Sequence, residues 1–212
     1  MPETHTLLLI LSWLAYFGLH SLLASIAMKK LVATRWPGAM PSYRLVYNLL
    51  AVLLLAVPLW LVLSHPGPWL WRWTGLGSVL AVSLSVAAVA GFIWSLRFYD
   101  MREFSGLRQL SENNDSVEDQ ERFQLSPLHR WVRHPWYFFA LVILWTRDMN
   151  LSMLISVIMM TFYFIIGSKL EERKLLRYHG DVYRRYQQRV PGLIPLPWKY
   201  LRADEARDLT AN

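Results

Sequence analysis

Five uncharged, apolar runs divide the chain, with short polar segments between them. Four of the runs reach the roughly 20 residues that a helix needs to cross a hydrocarbon core of about 30 Å. The fourth run is little more than half as long. The runs are Thr6–Met28, Leu45–Ser64, Trp73–Leu96, Pro135–Thr146 and Met149–Ser168.

This pattern predicts an all-α integral membrane protein with five transmembrane helices. The fourth and fifth runs are joined only by the short turn "RDMN", so they are expected to form a short helical hairpin. A cytoplasmic helical tail follows, in which Gly180 before Asp181 indicates the end of one helix and the start of the next. Residues 1–198 are predicted to form a single membrane domain, and residues 199–212 a disordered tail.

Composition supports the membrane class, because 54% of the 212 residues are hydrophobic and only 17% are charged. The chain has no Cys, which excludes disulfides, iron–sulfur clusters, thiolate zinc sites and a cysteine nucleophile. The net charge of +7 does not indicate nucleic-acid binding, since the basic residues lie at the ends of the apolar runs. By the positive-inside rule, these residues place the N-terminus outside and the C-terminus in the cytoplasm.

The short fourth run begins with cations, in the sequence "HRWVRHPWY". Pro135 suits the first position of a helix, whose free N–H groups and partial positive charge form an anion site. Arg130, Arg133 and His134 stand beside this helix start. They are therefore candidates for binding an anionic group. The alternative is that the arginines serve only as positive-inside anchors.

Two adjacent acids, Glu171 and Glu172, follow the fifth run directly. Neighbouring helical residues point about 100° apart, so only one of the pair is expected to face the hairpin interior. A carboxylate at a membrane boundary is suited to bridge two ribose hydroxyls. The alternative is structural: Ser168 and Glu171 match a capping box, and Glu171 could pair with Lys174.

Two further candidates are single residues. His20 is the lone ionisable group within the first run and is a candidate for the substrate side of a site. Tyr183 belongs to an aromatic series in the tail and could stack on a ligand, although interfacial aromatics are common. No nucleotide-binding glycine motif and no H-E-x-x-H motif occur. His129 and His134 do not share a helix face, so no metal is expected.

Two segments, "FQLSPLHRWVRHPWY" and "EERKLLRYHGDVYRRYQQRVPGLIP", resemble the isoprenylcysteine carboxyl methyltransferase-like superfamily. The motif R-H-P-x-Y, a short hairpin, E-E and then Y-x-x-Y-x-x-x-V-P recur there in this order. The fit is best to the methanethiol S-methyltransferase and NnrU-like branch, which shares "HSLLAS", "YRLVYNLL" and a G-L-R-Q segment. The resemblance covers most of Phe17–Pro195.

The resemblance implies a methyltransferase in a bacterial inner membrane that binds S-adenosylmethionine (SAM) on the cytoplasmic side. In the resemblance, His134, Pro135 and Tyr137 match the cofactor motif, and Gln109 and Glu171 match cofactor-contacting residues. Chemistry and resemblance together give a set of expected cofactor-binding residues: Gln109, His129, Arg133, His134, Pro135, Tyr137, Glu171, Glu172 and Tyr183.

Three positions depart from the superfamily pattern: His129 replaces Tyr, Phe139 replaces Gly, and Gly167 replaces an Arg that contacts substrate in the prenylcysteine enzymes. These departures argue against a prenylcysteine substrate more than against the cofactor.

The expected function is therefore methyl transfer from SAM to a small or lipophilic thiol or carboxylate, with membrane lipid around the protein. No general base is assigned, and Arg133 and His20 are the catalytic candidates. One alternative is a non-catalytic NnrU-like membrane protein. Another is an NADPH-dependent reductase of the sterol-reductase type, whose usual larger number of helices is absent here.

Overall fold

The computed structural model describes residues 3–114, 116–117 and 125–210. Part of the acidic stretch "SENNDSVEDQER" lies outside the described residues. The described chain is mostly helical, with one short antiparallel strand pair. Its elements are α1 (Glu3–Ala24), α2 (Ile26–Arg35), α3 (Met40–Ser64), β1 (Trp69–Trp71), α4 (Gly75–Ser95), α5 (Met101–Ser105), α6 (Leu107–Ser111), α7 (Pro135–Trp145), β2 (Met149–Asn150), α8 (Leu151–Arg189) and α9 (Ala203–Thr210).

Long apolar helices confirm the class of helical membrane protein. Among the described residues, four helices are long and apolar enough to cross a bilayer, and they contain α1, α3, α4 and α8. The fourth run forms α7, which has 11 residues. At about 1.5 Å per residue it is too short to cross a hydrocarbon core alone.

The chain divides into two compact units. The first unit contains Met1–Trp71, Tyr99–Gln120 and Met149–Met159. The second unit contains Arg72–Phe98, Glu121–Asp148 and Met160–Asn212. Helix α8 begins in the first unit and continues in the second.

The first unit is built on the packing of α1 against α3. Trp13 is 1% exposed, and its Nε1 donates a hydrogen bond of 2.8 Å to Oγ of Ser156. The indole N–H is thereby satisfied within an apolar environment. Gly106 has a φ of 91°, and a Cβ there would lie 2.5 Å from the backbone N of Leu45. Only glycine therefore lets the chain before α6 approach α3 so closely.

The first run is divided into two helices, which the hydrophobic pattern does not predict. Ser25 has extended backbone angles (φ −70°, ψ 147°), and its side chain accepts a hydrogen bond from the N–H of Met28. Serine is among the preferred N-cap residues. The predicted span Thr6–Met28 is therefore wrong at its end, because Ser25 caps a new helix, α2.

In the second unit, α4 and α7 pack closely. A Cβ at Gly91 would lie 2.8 Å from two ring atoms of Phe139, so the glycine makes room for this ring. Nε1 of Trp136 donates a hydrogen bond of 2.8 Å to Oγ of Ser95, which is fully buried. These contacts fix the position of the start of α7, where the cationic residues lie.

Helix α8 continues through the polar boundary without a new start, contrary to the capping-box alternative. Oγ of Ser168 donates a hydrogen bond to the carbonyl of Ile165 within the same helix. The break predicted at Gly180 is confirmed, because this residue has non-helical angles (φ 52°, ψ −125°). A positive φ favours glycine.

The end of the chain also differs from the prediction of disorder for residues 199–212. Residues Ala203–Thr210 form α9, and Arg202 N–H donates a hydrogen bond of 2.8 Å to Glu205. The sequence pattern misses α9 because the helix is short and strongly charged. Its apolar residues complete a core cluster that contains Tyr183, Tyr186, Val190, Leu201 and Ala206.

Candidate functional site

The start of α7 and the polar part of α8 meet at an ion pair between Arg133 and Glu172. Nε of Arg133 lies 2.7 Å from Oε1 of Glu172, and both side chains are largely buried. The same Oε1 lies 3.0 Å from Nε2 of His134. The sequence expectation that one acid of the pair faces inward is thus met, and this acid is Glu172.

Every oxygen of Glu172 is engaged by the protein. Oε1 is shared by Arg133 and His134, and Oε2 accepts a hydrogen bond of 2.9 Å from Nε2 of Gln187. A buried carboxylate with this set of donors is well compensated for its loss of hydration. Glu172 therefore holds three side chains together and leaves little capacity for a ligand.

Glu171 has the opposite character. Its side chain is 49% exposed, and its Oε2 lies 3.4 Å from Nδ1 of His134. Since His134 can contact both acids through its two ring nitrogens, it links the buried acid to the exposed one. Of the two adjacent carboxylates, Glu171 is the one that can accept hydrogen bonds from a bound molecule.

The electrostatics of the site favour a protonated His134. Burial opposes the charge on this imidazole, but hydrogen bonds and charge from Glu171 and Glu172 outweigh it and raise the pKa to about 8. His129 shows the reverse: burial, followed by the positive charge of His134, lowers its pKa to about 4. Near neutral pH the site therefore contains one imidazolium beside one neutral imidazole.

Aromatic rings support His134 from the side of the hairpin. The ring of Tyr137 stacks on that of His134, with centroids 5.3 Å apart and an interplanar angle of 9°. It also stacks on Phe164 of α8, at 4.9 Å and 10°. Tyr137 thus connects α7 to α8 and orients the imidazole, and its ring is already engaged in two stacks.

The segment after α8 covers the start of α7. The carbonyls of Pro191 and Gly192 accept hydrogen bonds from the N–H groups of Arg133 (2.9 Å) and His134 (3.1 Å). The Arg133 guanidinium also donates to the carbonyls of Gln187 (3.1 Å) and Val190. The protein's own carbonyls thus bind the two N–H groups that immediately precede the helix start which the sequence indicates as an anion site.

His129, Tyr183 and Tyr186 belong to the second unit, as the cluster does. Nδ1 of His129 lies 2.8 Å from Oγ of Ser126, and its carbonyl accepts a hydrogen bond of 2.7 Å from the hydroxyl of Tyr186. Tyr183 and Tyr186 are each 2% exposed. Tyr183 is therefore a core residue, and in this state its ring is not open to a ligand.

Two predicted residues lie in the first unit. Gln109 is on α6, and its Oε1 is buried without a hydrogen-bond donor from the described residues. His20 is on α1, and its Nε2 lies 2.9 Å from the hydroxyl of Tyr47 on α3. The roles of Gln109 and His20 stay predictions.

Sequence reasoning missed Gln187 and the carbonyls that bind Arg133. A signal for Gln187 was present, because Tyr183, Gln187 and Val190 follow a helical i, i+4, i+7 spacing that places them on one face. The carbonyls of Pro191 and Gly192 carry no such signal, since any residue supplies a backbone carbonyl. In the described parts of the chain, no group of three or more potential metal ligands is present.

Comparison with known families gives the site its context. Residues 27–190 match DUF1295, a family described as proteins of unknown function. The chain belongs to the DUF1295 family. No solved structure matches this DUF1295 protein.

Curated relatives of this DUF1295 protein bear one name. Methanethiol S-methyltransferase 1 of Bradyrhizobium diazoefficiens is 34% identical, covering 59% of this chain and 48% of the relative. Methanethiol S-methyltransferase of Pseudomonas sp. strain GM41(2012) is 35% identical, covering 66% and 51%. That of Crocosphaera subtropica is 28% identical, covering 84% and 71%. The chain spans about half the length of the first two, and these matches confirm the resemblance to the methanethiol S-methyltransferase branch.

Proposed function

We propose that this protein is an integral-membrane methyltransferase that transfers a methyl group from SAM to a small thiol. The observation that carries the proposal is the contact of His134 with both Glu171 and Glu172, at the point where α7 starts and the apolar part of α8 ends. The names of the relatives, all methanethiol S-methyltransferases, support a thiol acceptor.

The exposed part of the cluster fits the polar groups of SAM. Glu171 offers a half-exposed carboxylate that can accept hydrogen bonds from the two ribose hydroxyls. His134, protonated near neutral pH, supplies a cation for the carboxylate of the amino-acid part. Arg133 is committed to Glu172 and to tail carbonyls, so its role in the proposal is to hold the cluster in place.

When bound, SAM would supply an electrophilic methyl group, whose transfer to a thiol gives a thioether, S-adenosylhomocysteine as the leaving group and one proton. Methyl transfer depends on the alignment of donor and acceptor, so positioning supplies much of the rate enhancement. Tyr137 contributes by fixing the His134 imidazole in its stack, and Glu172 by fixing both His134 and Arg133.

The proposal includes the five-span arrangement. In it, the short α7 and the apolar part of α8 form a helical hairpin. The short α7 would place its cationic start below the level of the headgroups, where a lipophilic thiol arrives from the bilayer. The basic residues that flank the apolar helices support a cytoplasmic location for the C-terminus and for the site.

The first experiment is a ligand comparison that separates this proposal from its alternatives. The purified protein is heated with SAM, S-adenosylhomocysteine or NADPH, and the shift in unfolding temperature is measured. The proposal expects stabilisation by the two adenosyl compounds, because a ligand of the folded state raises its stability. Stabilisation by NADPH alone would favour a reductase, and no stabilisation by any of them would favour a non-catalytic protein.

A variant pair tests the site within this function. Glu171→Gln removes the charge that accepts the ribose hydroxyls, and a loss of at least tenfold in S-adenosylhomocysteine affinity is expected by calorimetry. Asp204→Asn is the matched control, because it neutralises an exposed acid on α9. Equal affinity in the two variants would contradict the assignment of Glu171.

A further inference from the structure

The segment 190–201, here called the C-terminal strap, is tied at both ends to the residues just before α7. At its beginning, the Pro191 carbonyl accepts from Arg133 N–H at 2.9 Å. At its end, Leu201 N–H donates to the Arg130 carbonyl at 3.0 Å, and Nε of Arg130 donates to the Leu201 carbonyl at 3.0 Å. The residues between these ties form a loop in which Ile194, Pro197 and Trp198 are exposed.

This loop has an apolar tip. Leu196 and Lys199 face each other in an isolated β-bridge, with a hydrogen bond of 2.9 Å from Lys199 N–H to the Leu196 carbonyl. Pro197 and Trp198 therefore form the turn at the tip. Trp198 is 79% exposed and Ile194 is 65% exposed. Tryptophan usually buries most of its large ring, so exposure of this extent indicates a further partner.

In the five-span arrangement proposed above, on which this inference rests, the strap lies at a membrane boundary. Its first tie lies immediately before Pro135, where the apolar helix α7 begins. Trp131, four residues before Pro135, stacks on Tyr200 of the strap with centroids 4.6 Å apart and an interplanar angle of 11°. Tryptophan and tyrosine concentrate at membrane–water interfaces, where the ring lies in lipid and the polar atom in water.

We propose that the tip of the strap, residues 194–198, inserts into the interfacial region of the bilayer beside the start of α7. The partner is lipid rather than a protein, because a stable protein interface buries about 800 Å² on each side and this tip is only a short turn. Continuity supports the same partner, since Trp131 and Tyr200 join the tip to the apolar start of α7. Lys199, next to Trp198, can extend its ammonium group to the headgroups.

Insertion has a consequence for the candidate site. The tip follows Pro191 and Gly192 closely in the chain. The carbonyls of these two residues accept hydrogen bonds from the N–H groups of Arg133 and His134. Lipid contact at the tip therefore holds these carbonyls over the start of α7. The proposal does not depend on the ligand of the site, because it concerns only where the strap lies.

The absence of cysteine makes a direct test simple. A Trp198→Cys variant, labelled with the environment-sensitive fluorophore NBD, is reconstituted into phosphatidylcholine vesicles that contain doxyl-labelled lipid. We expect blue-shifted emission and strong quenching by lipid that carries the doxyl group near the headgroup. Asp204→Cys, on the exposed face of α9 in the same tail, is the matched control and is expected to show aqueous emission and little quenching.

Equal emission and equal quenching at the two positions would overturn the proposal. So would a blue shift at position 198 that vanishes when the protein is diluted in excess lipid, because a second copy of the chain would then be the partner. Elution of both variants at the wild-type volume in size-exclusion chromatography verifies that they are folded. Ile194→Cys provides a second probe on the same tip and is expected to behave as Trp198→Cys does.

Discussion

His134 and Glu172 are hydrogen-bonded from Nε2 to Oε1 at 3.0 Å, although they are 38 residues apart in the chain. This bond joins the start of α7 to the polar part of α8, and the Oε1 atom also pairs with Arg133. One carboxylate oxygen thus carries two cationic partners in a buried position. The arrangement makes Glu172 the structural acid of the site and leaves Glu171 as the acid available to a ligand.

The first prediction concerns the stability that Glu172 provides. Glu172→Gln leaves the Arg133 guanidinium buried without its counter-charge, which costs about 3 kcal/mol of unfolding free energy by analogy with other broken buried ion pairs. We expect a clear drop in unfolding temperature in detergent without any ligand. Glu171→Gln is the neighbouring comparison and should lower the unfolding temperature clearly less, because its side chain is half exposed and the change weakens only the contact with His134. Equal destabilisation by both changes would contradict the division of roles.

The second prediction concerns pH. The pKa of His134 is raised from 6.5 to about 8 in the folded protein, so its stabilising charge is fully present below pH 6.5. The contribution is lost as the pH rises through 8, and the shift corresponds to about 2 kcal/mol. Unfolding temperatures measured from pH 6 to 9 should therefore fall with rising pH. His134→Asn should flatten this part of the profile, and an unchanged slope would show that another group is responsible.

The third prediction separates two adjacent glutamines. Gln187→Met removes the hydrogen bond to Oε2 of Glu172 and should reduce stability by about 1 kcal/mol. Hydrogen exchange in residues 181–201 should also accelerate, because Gln187 ties this segment to Glu172 in the part of α8 before Gly180. Gln188→Met is the matched control, since Gln188 is exposed. The same exchange rates in both variants would rule out a structural role for the Gln187 side chain.

The fourth prediction tests the packing of α4 on α7. Gly91→Ala places a Cβ 2.8 Å from the ring of Phe139, so the two helices must separate or the ring must move. Overpacking of this kind typically costs about 1–3 kcal/mol. Gly18→Ala is the control, because a Cβ there meets nothing within 4 Å. Combining Gly91→Ala with Phe139→Leu should recover part of the lost stability, as measured by thermal unfolding.

The sequence predicts the membrane class and the pairing of the two motifs for a clear physical reason. Long apolar runs are required for contact with lipid, and the R-H-P and E-E motifs stand at the ends of two runs joined by a short turn. Antiparallel neighbours with a short turn bring such ends together. This topology predicts that one acid lies beside the start of α7, and the contact of His134 with the second acid goes beyond it.

Other features of the structure could not be predicted from the sequence. The break at Ser25 lies inside an apolar run, and hydropathy does not distinguish a continuous helix from two helices with an N-cap between them. Helix α9 is charged on most of its surface, and it is stabilised by tertiary contacts of Leu201 and Ala206 that no local pattern reveals. The carbonyls that bind Arg133 depend on the backbone path alone.

The kink at Gly180 limits changes in the number of residues between Glu172 and Gln187. Glu172 and Gln187 are 15 residues apart, on either side of this kink, and their side chains are in contact. Inserting one residue on either side would rotate the following helical segment by about 100°. Gln187 would then point away from Glu172. The number of residues between Glu172 and Gln187 is therefore a fixed dimension of the molecule.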